Sequence, residues 1–494
     1  MSIPHGTQPR LRAALRAALL ACALLPAMAA ATGVDAGAPR PAASTNASVA
    51  VRLPEFETLT LANGATVLLM EKHDVPLVAA SISVRGGSLA DPVGKEGTAA
   101  LLAELLGKGA GTRDALAFAQ TVDGVGGSIG FGSDQEGITA AAQFLSRDTG
   151  LMLSLLGDAL LNPRLDATEF DKLRKRSIEA IAAAKDSDPR ALVSDYASAW
   201  LFRGHAYGRP GDGDGDETSL AAIGLTDLQA FRQAQMGGDR LIIALVGDFD
   251  SATVREQVTA TFGGWAKATG TLPEVVAKPR ESGRRVLLVD KPGATQTYFW
   301  LGNVGASRTD PARAAQDLVQ TAFGGRFTSM LNTELRVKSG LTYGAGAPIS
   351  RARVAGMSGI STFTKTESTG AAIDLALATL ARLHKDGLDA ATLTSAKNYV
   401  AGQFAPDLET APQLADTLVD LTTYGLGRDD VDGYLGRIAA ASAEDVGTAR
   451  AVYASGDDQV IVAIGDAAKI RTVIAEYGPV TEMKLTDPHY APAE

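Results

Sequence analysis

This sequence is poor in the residues that hold metals and staple chains. Of its 494 residues one is cysteine and five are histidine. The cysteine, Cys22, lies in an N-terminal segment that reads as removable, so the remainder has no thiol and no disulfide. The histidines, His5, His73, His205, His384 and His489, are scattered, and no two stand four apart where one helix could offer both to a metal. The apolar run Ala17–Ala27 is too short to cross a bilayer, so no transmembrane segment is expected in the mature chain. An excess of positive charge is also missing. The formal net charge of −10 argues against nucleic-acid binding and leaves no basic patch for an anionic membrane, while remaining compatible with basic peptides.

What is present is ordinary globular material, 46% hydrophobic and 21% charged, in a chain too long for one core. Arg10, Arg12 and Arg16 precede the apolar run, and Ala27-Met28-Ala29 places small residues where a signal peptidase cuts. Residues 1–29 are therefore expected to be a signal peptide, and the mature protein to be periplasmic or secreted. Leu19-Leu20-Ala21-Cys22 also resembles a lipoprotein signal, but the apolar run ahead of it is short and broken by Arg16. Residues 30–50, rich in Ala, Gly, Ser, Thr and Pro, read as a flexible leader.

The chain carries an internal duplication. Val67-Leu68-Leu69-Met70-Glu71-Lys72 recurs as Val286-Leu287-Leu288-Val289-Asp290-Lys291, an offset of 219, and Asp91-Pro92 recurs as Asp310-Pro311 at the same offset. Near the end of each copy, Leu241-Ile242-Ile243-Ala244-Leu245-Val246-Gly247-Asp248 matches Val460-Ile461-Val462-Ala463-Ile464-Gly465-Asp466 at an offset of 218. Each copy begins with short strands: in the first, Thr58–Leu61, Val67–Glu71 and Ala79–Val84, with a hairpin turn at Asn63-Gly64. Helical patterns follow at Thr98–Leu106, Phe144–Leu161 and Ala167–Ala184, and a buried strand closes the copy. Strands ahead of helices, then a return strand, predict two α+β domains, each a mainly antiparallel sheet packed with helices. The expected division is 51–267 and 283–481, joined by a linker at 268–282 and followed by a tail at 482–494.

Two stretches carry the functional signal. The first is Gly97-Thr98-Ala99-Ala100-Leu101-Leu102-Ala103-Glu104-Leu105. The second is Gly324-Gly325-Arg326-Phe327-Thr328-Ser329-Met330-Leu331-Asn332-Thr333-Glu334-Leu335-Arg336, continuing to Gly340-Leu341-Thr342-Tyr343. Together they resemble the pitrilysin/insulinase family of zinc peptidases, whose two homologous domains form halves of a clamshell. The resemblance is diffuse over residues 51–481 and specific in the second stretch. In that family an H-x-x-E-H helix places two histidines at i and i+4 on one face, with a glutamate to take a proton from the metal-bound water. Laid on this chain, Ala100 takes the first histidine, Ala103 the glutamate and Glu104 the second histidine, while Gly97, Leu101, Leu102, Lys108 and Thr112 still match. Two alanines have no donor atoms. The third family ligand falls near Ala180 or Ile181, both inert, and Glu179 is one residue off, about 100° round a helix. No metal is expected in this chain.

The same resemblance assigns Arg336 and Tyr343 to contacts with the substrate peptide and its transition state, with Gly324, Gly325 and Phe327 in the substrate-binding stretch. A guanidinium gives a fork of donors to a carbonyl, and a phenol gives one to a developing oxyanion. The implied protein is the metal-free, substrate-positioning subunit of a heteromeric zinc peptidase, acting on peptides or unfolded polypeptides. Its partner would be a homologous H-x-x-E-H chain holding the zinc. The alternative is a stand-alone peptide-binding or chaperone-like protein. Other glycine clusters carry no chemistry. Gly124–Gly130 lacks the Lys-Ser/Thr of a phosphate loop and reads as a turn before a strand. Gly211–Asp216 lacks the closing glutamate of a calcium loop and reads as a surface loop. His205-Ala206-Tyr207-Gly208 resembles the family's structural H-P-Y-G turn.

Overall fold

In the computed structural model, residues 51–492 are described. The signal-peptide and leader expectations fall outside them. The first half contributes β1 (Glu57–Thr60), β2 (Thr66–Glu71), β3 (Leu77–Arg85), β4 (Ser128–Ser133), β5 (Gly137–Leu145) and β6 (Leu241–Gly247) to one six-stranded sheet, in the order β1-β2-β6-β3-β5-β4. The second half contributes β7 (Arg285–Asp290), β8 (Gln296–Val304), β9 (Ala345–Gly346), β10 (Met357–Lys365), β11 (Val460–Gly465) and β12 (Val480–Lys484), in the order β9-β10-β8-β11-β7-β12. Antiparallel pairs dominate both sheets; the parallel ones are β2 with β6, and β7 with both β11 and β12. The fold is α+β, as expected.

The duplication is visible in the register. Ser83 pairs with Ile242 in the first sheet and Gly302 with Val460 in the second, reproducing the offsets of 219 and 218 at one residue pair. The edges differ: β1 lies antiparallel to β2, whereas β12 lies parallel to β7. Residue 481 sits inside β12, and residues 268–282 hold no helix or strand.

The helices that matter are α1 (Thr98–Leu106), α2 (Thr149–Leu161), α3 (Ala167–Ser187), α4 (Val193–Leu201) and α5 (Ser251–Phe262) in the first half. In the second they are α6 (Arg313–Gln320), α7 (Thr369–Asp386), α8 (Ala390–Phe404), α9 (Ala411–Tyr424) and α10 (Ala467–Ile474). The helix expected over Phe144–Leu161 starts later, because Phe144 and Leu145 finish β5 and the turn Ser146–Asp148 intervenes. The polar stretch Ser146-Arg147-Asp148-Thr149-Gly150 marks that junction in the sequence, and the expected helix ran across it.

The core strands are apolar on both faces because both faces are covered. Val67, Leu69, Ile82, Ile243 and Leu245 pack against the first half's own helices. Leu68, Met70, Ala79, Ile242 and Val246 face the other way, onto Leu414, Leu418 and Leu421 of α9, which belongs to the second half. The exchange is reciprocal. Tyr196, Trp200 and Leu201 of α4, from the first half, cover Leu287, Val289, Trp300, Val460 and Val462 of the second sheet. Each sheet thus borrows one covering helix from the opposite half. Further ties cross the junction. Lys291 Nζ donates to the carbonyls of Lys185 (2.8 Å) and Asp186 (2.5 Å), where a cation suits the C-terminal end of α3. Arg353 reaches Glu136 Oε2 at 2.9 and 2.7 Å. The C-terminal segment returns to the first half, where Tyr490, 2% exposed, meets Tyr196 edge-on and Lys185 Nζ donates to the Asp487 carbonyl at 2.7 Å.

Candidate functional site

Helix α1 is built from alanine and leucine, good helix formers, and is entered through Gly97 at φ 99°. A Cβ on Gly97 would stand 2.7 Å from the Asp214 carbonyl oxygen, so only glycine fits. Asp91 caps this entry: its carboxylate accepts from the backbone N–H groups of Gly97 and Ala99, both at 2.8 Å. Burial pushes the Asp91 carboxyl up to about 7, against the pull of those two N–H groups and of Arg209. The Gly211–Asp216 loop packs under the same entry and is not the surface loop expected. Gly211, Gly213 and Gly215 are buried, a Cβ on Gly213 would meet Ser88 Oγ at 2.2 Å, and Asp216 is 2% exposed. Glycine allowed a close approach that reads, in sequence, like solvent-facing polarity.

On α1 itself Ala103 is fully buried, Ala100 half-buried and Glu104 exposed. Glu104 is committed elsewhere: its Oε2 accepts from Arg176 Nη2 of α3 at 2.6 Å. One helical turn beyond Arg176 stands Ala180, exposed, while Ile181 is half-buried against the core. Glu179 pairs with Lys175 at 3.7 Å on the solvent side. The three positions on α1 thus offer two methyl groups and one carboxylate already held by a guanidinium. A zinc ion needs three or four converging donors, so these residues do not fit it. Among the described residues no group of three or more His, Cys, Asp or Glu could hold a metal ion.

The remaining histidines serve local structure. His73 bridges Asp248 (2.8 Å) and Glu71 (3.2 Å), which raise its pKa in that order of effect. His205 bonds the Val276 carbonyl at 2.7 Å and accepts from the Tyr207 N–H, with the Tyr207 ring buried beside it. His489 pairs with Asp216 at 2.8 Å. Burial depresses the His384 pKa.

The second stretch is shaped by two π-helical turns, Thr321–Gly325 continuing α6 and Asn332–Lys338. Such widened turns are rare and recur at functional sites. Gly324 permits a close approach, since a Cβ there would come 2.4 Å from Ala347 N; at Gly325 it would come 3.0 Å from the Gln320 carbonyl oxygen. Leu331 and Leu335, fully buried, anchor the second turn, and Asn332 fastens it by accepting from Ala345 N (3.1 Å) and donating to the Arg326 carbonyl (3.2 Å). What this scaffold displays is outward-facing. Arg336 is exposed, and its guanidinium carbon stands 4.6 Å from the centre of the Phe327 ring, itself 61% exposed. Glu334, on the same turn, is engaged by Lys338 (3.0 Å) and Arg382 (2.9 Å). Burial raises the Glu334 pKa, but those two cations hold it below the ordinary value.

Beyond this turn, residues 341–344 are strapped along β10: Thr364 Oγ1 donates to the Leu341 carbonyl (2.7 Å) and Thr362 Oγ1 to the Gly344 carbonyl (2.9 Å). Thr342 turns inward and Tyr343 outward, 81% exposed, its hydroxyl unpartnered among the described residues. Arg336 and Phe327 are brought into contact, and Val337, next to Arg336 in sequence, is 63% exposed. Three large exposed hydrophobic side chains, Phe327, Val337 and Tyr343, thus fall within seventeen residues of sequence here, one of them against an exposed guanidinium.

The model of the insulinase family, peptidase family M16, matches residues 66–214, and the model described as the peptidase M16 inactive domain matches residues 222–400. The chain belongs to the M16 family. A protein of Mycobacterium leprae named as an uncharacterised zinc protease is 30% identical over 285 residues, covering 58% of this chain and 63% of the relative, less than two thirds of its length. Another of that description from Streptomyces coelicolor is 26% identical over 397 residues, covering 78% of this chain and 84% of the relative. A solved structure described as a peptidase M16 inactive domain from Pseudomonas fluorescens superposes with a TM-score of 0.78 at 24% identity, covering 83% of this chain and 98% of that one, a likeness of fold. Within this M16 chain, the partner of Glu104 was the residue that sequence reading missed. The signal available was the basic run Lys172–Arg176 on the helix facing α1.

Proposed function

We propose that this chain is the metal-free, substrate-positioning subunit of a two-chain M16 peptidase that cleaves peptides or unfolded polypeptides in the periplasm or outside the cell. Water activation falls to the zinc helix of a homologous H-x-x-E-H partner. Arg336 donates to a carbonyl of the bound peptide, and Tyr343 donates to the oxygen on which negative charge develops. The observation that carries this reading is the contrast between the two halves. Positions 100, 103 and 104 offer no usable metal donors, whereas Arg336 and Tyr343 are presented outward and have no acidic partner among the described residues.

The experiment is recovery of the tagged chain from its native host, with identification and metal analysis of what accompanies it. A stoichiometric H-x-x-E-H chain, with zinc and peptidase activity that separate with that chain, supports the proposal. Recovery of the chain alone, binding unfolded polypeptide without cleaving it, favours a stand-alone peptide-binding protein.

A further inference from the structure

We propose that Phe327 is a positioning residue whose ring seats the Arg336 guanidinium and holds it toward the peptide. This rests on the role given to Arg336 above and extends it to the group that fixes its pose.

Among the described residues Arg336 has no carboxylate partner, because Glu334 is taken by Lys338 and Arg382. Its charged end instead lies over the Phe327 ring at 4.6 Å, within the range where a cation is attracted by the face of an aromatic. A free arginine on a surface samples many rotamers, and ordering it on binding costs entropy. A ring beneath the guanidinium meets part of that cost before the peptide arrives, without neutralising the charge as a carboxylate would. The platform is itself fixed. Arg326, next in sequence, donates to Ser395 Oγ (2.8 Å) and to the Ser395 carbonyl (3.2 Å), while its own carbonyl accepts from Asn332. Phe327 is 61% exposed, so a large apolar ring stands here without core packing to explain it.

The test uses the complex of this chain with its H-x-x-E-H partner, and fluorescein-labelled β-casein as the probe. Phe327→Ala and Phe327→Leu are each expected to raise KM about 2- to 5-fold, the range of an exposed cation–π contact, with kcat nearly unchanged. Phe327→Trp is expected to restore the wild-type KM, and all three variants to melt like the parent. In an Arg336→Ala background, Phe327→Ala should have no further effect, because there is no guanidinium left to seat. A leucine variant with wild-type KM, or an equal penalty in both backgrounds, would overturn the positioning role while leaving Arg336 in place. If Arg336→Ala alone has no effect, the role of Arg336 itself fails, and the seat goes with it.

Discussion

Restoring the family's helix motif by Ala100→His, Ala103→Glu and Glu104→His is expected to give a less stable protein that still does not bind zinc tightly. Ala103 is fully buried in the first-half core, so a glutamate there forces a charge or a displaced helix, a cost on the order of 2–5 kcal/mol. Glu104→His removes the partner of Arg176; both side chains are largely exposed, so that loss is about 0–1 kcal/mol. The new imidazole would then share its space with the Arg176 guanidinium that had bridged from α3 to α1, which repels a dication. Zinc would have two protein ligands, since Ala180 and Ile181 supply none. The assay is thermal melting with and without excess zinc, paired with metal analysis after gel filtration. A site filled at 100-fold excess over its Kd would return roughly 2.7 kcal/mol of stability. The expected result is a lowered melting temperature that zinc does not recover. A zinc-dependent recovery of that size, with one ion retained per chain, would refute the reasoning about the donor set.

Leu418→Ala, in the helix that the second half lends to the first sheet, should cost about 2–5 kcal/mol, and fluorescence and circular dichroism should report one shared urea transition for both halves. Two separate transitions would show that the exchanged helices do not couple the halves. For Asp91, whose folded-state pKa is raised to about 7 from an unfolded value of about 4, the sign runs toward acid. Its stabilising contribution is complete below about pH 4 and is lost as pH rises through about 7; Asp91→Asn should flatten the urea midpoint across that window, and an unchanged slope would contradict the assignment. The purified chain alone should leave fluorescein-labelled β-casein intact, and chelator-sensitive cleavage by it would contradict the absence of a metal site.

Much of the architecture was legible because hydrophobic periodicity and repetition are local signals. Helix α1 begins and ends at the residues expected, and the offset drift reappears as strand register. What was not legible depends on distant partners. Nothing local marks α4 and α9 as covers for each other's sheets, although the unbroken run Leu241–Val246 already implied burial on both faces. The Gly211–Asp216 loop looked solvated because its burial comes from Ser88 and the entry to α1, remote in sequence. At the candidate site, the missing zinc donors could be read directly, since absence of an imidazole needs no fold. The ion pair of Glu104 with Arg176 and the seat of Arg336 on Phe327 needed the packing of α3 and the π-helical turns.

The central claim is that this chain lends Arg336 and Tyr343 to chemistry performed on a partner. The most direct measurement is steady-state cleavage by the reconstituted two-chain complex carrying Arg336→Ala or Tyr343→Phe. Each variant is predicted to fold and bind the partner normally, because both side chains are exposed, and to lower turnover by about 10- to 1,000-fold. The loss should lie mainly in kcat for Tyr343 and in both kcat and KM for Arg336, with the double variant falling short of the product of the singles. Full activity in both single variants, with normal assembly and melting, would contradict the account.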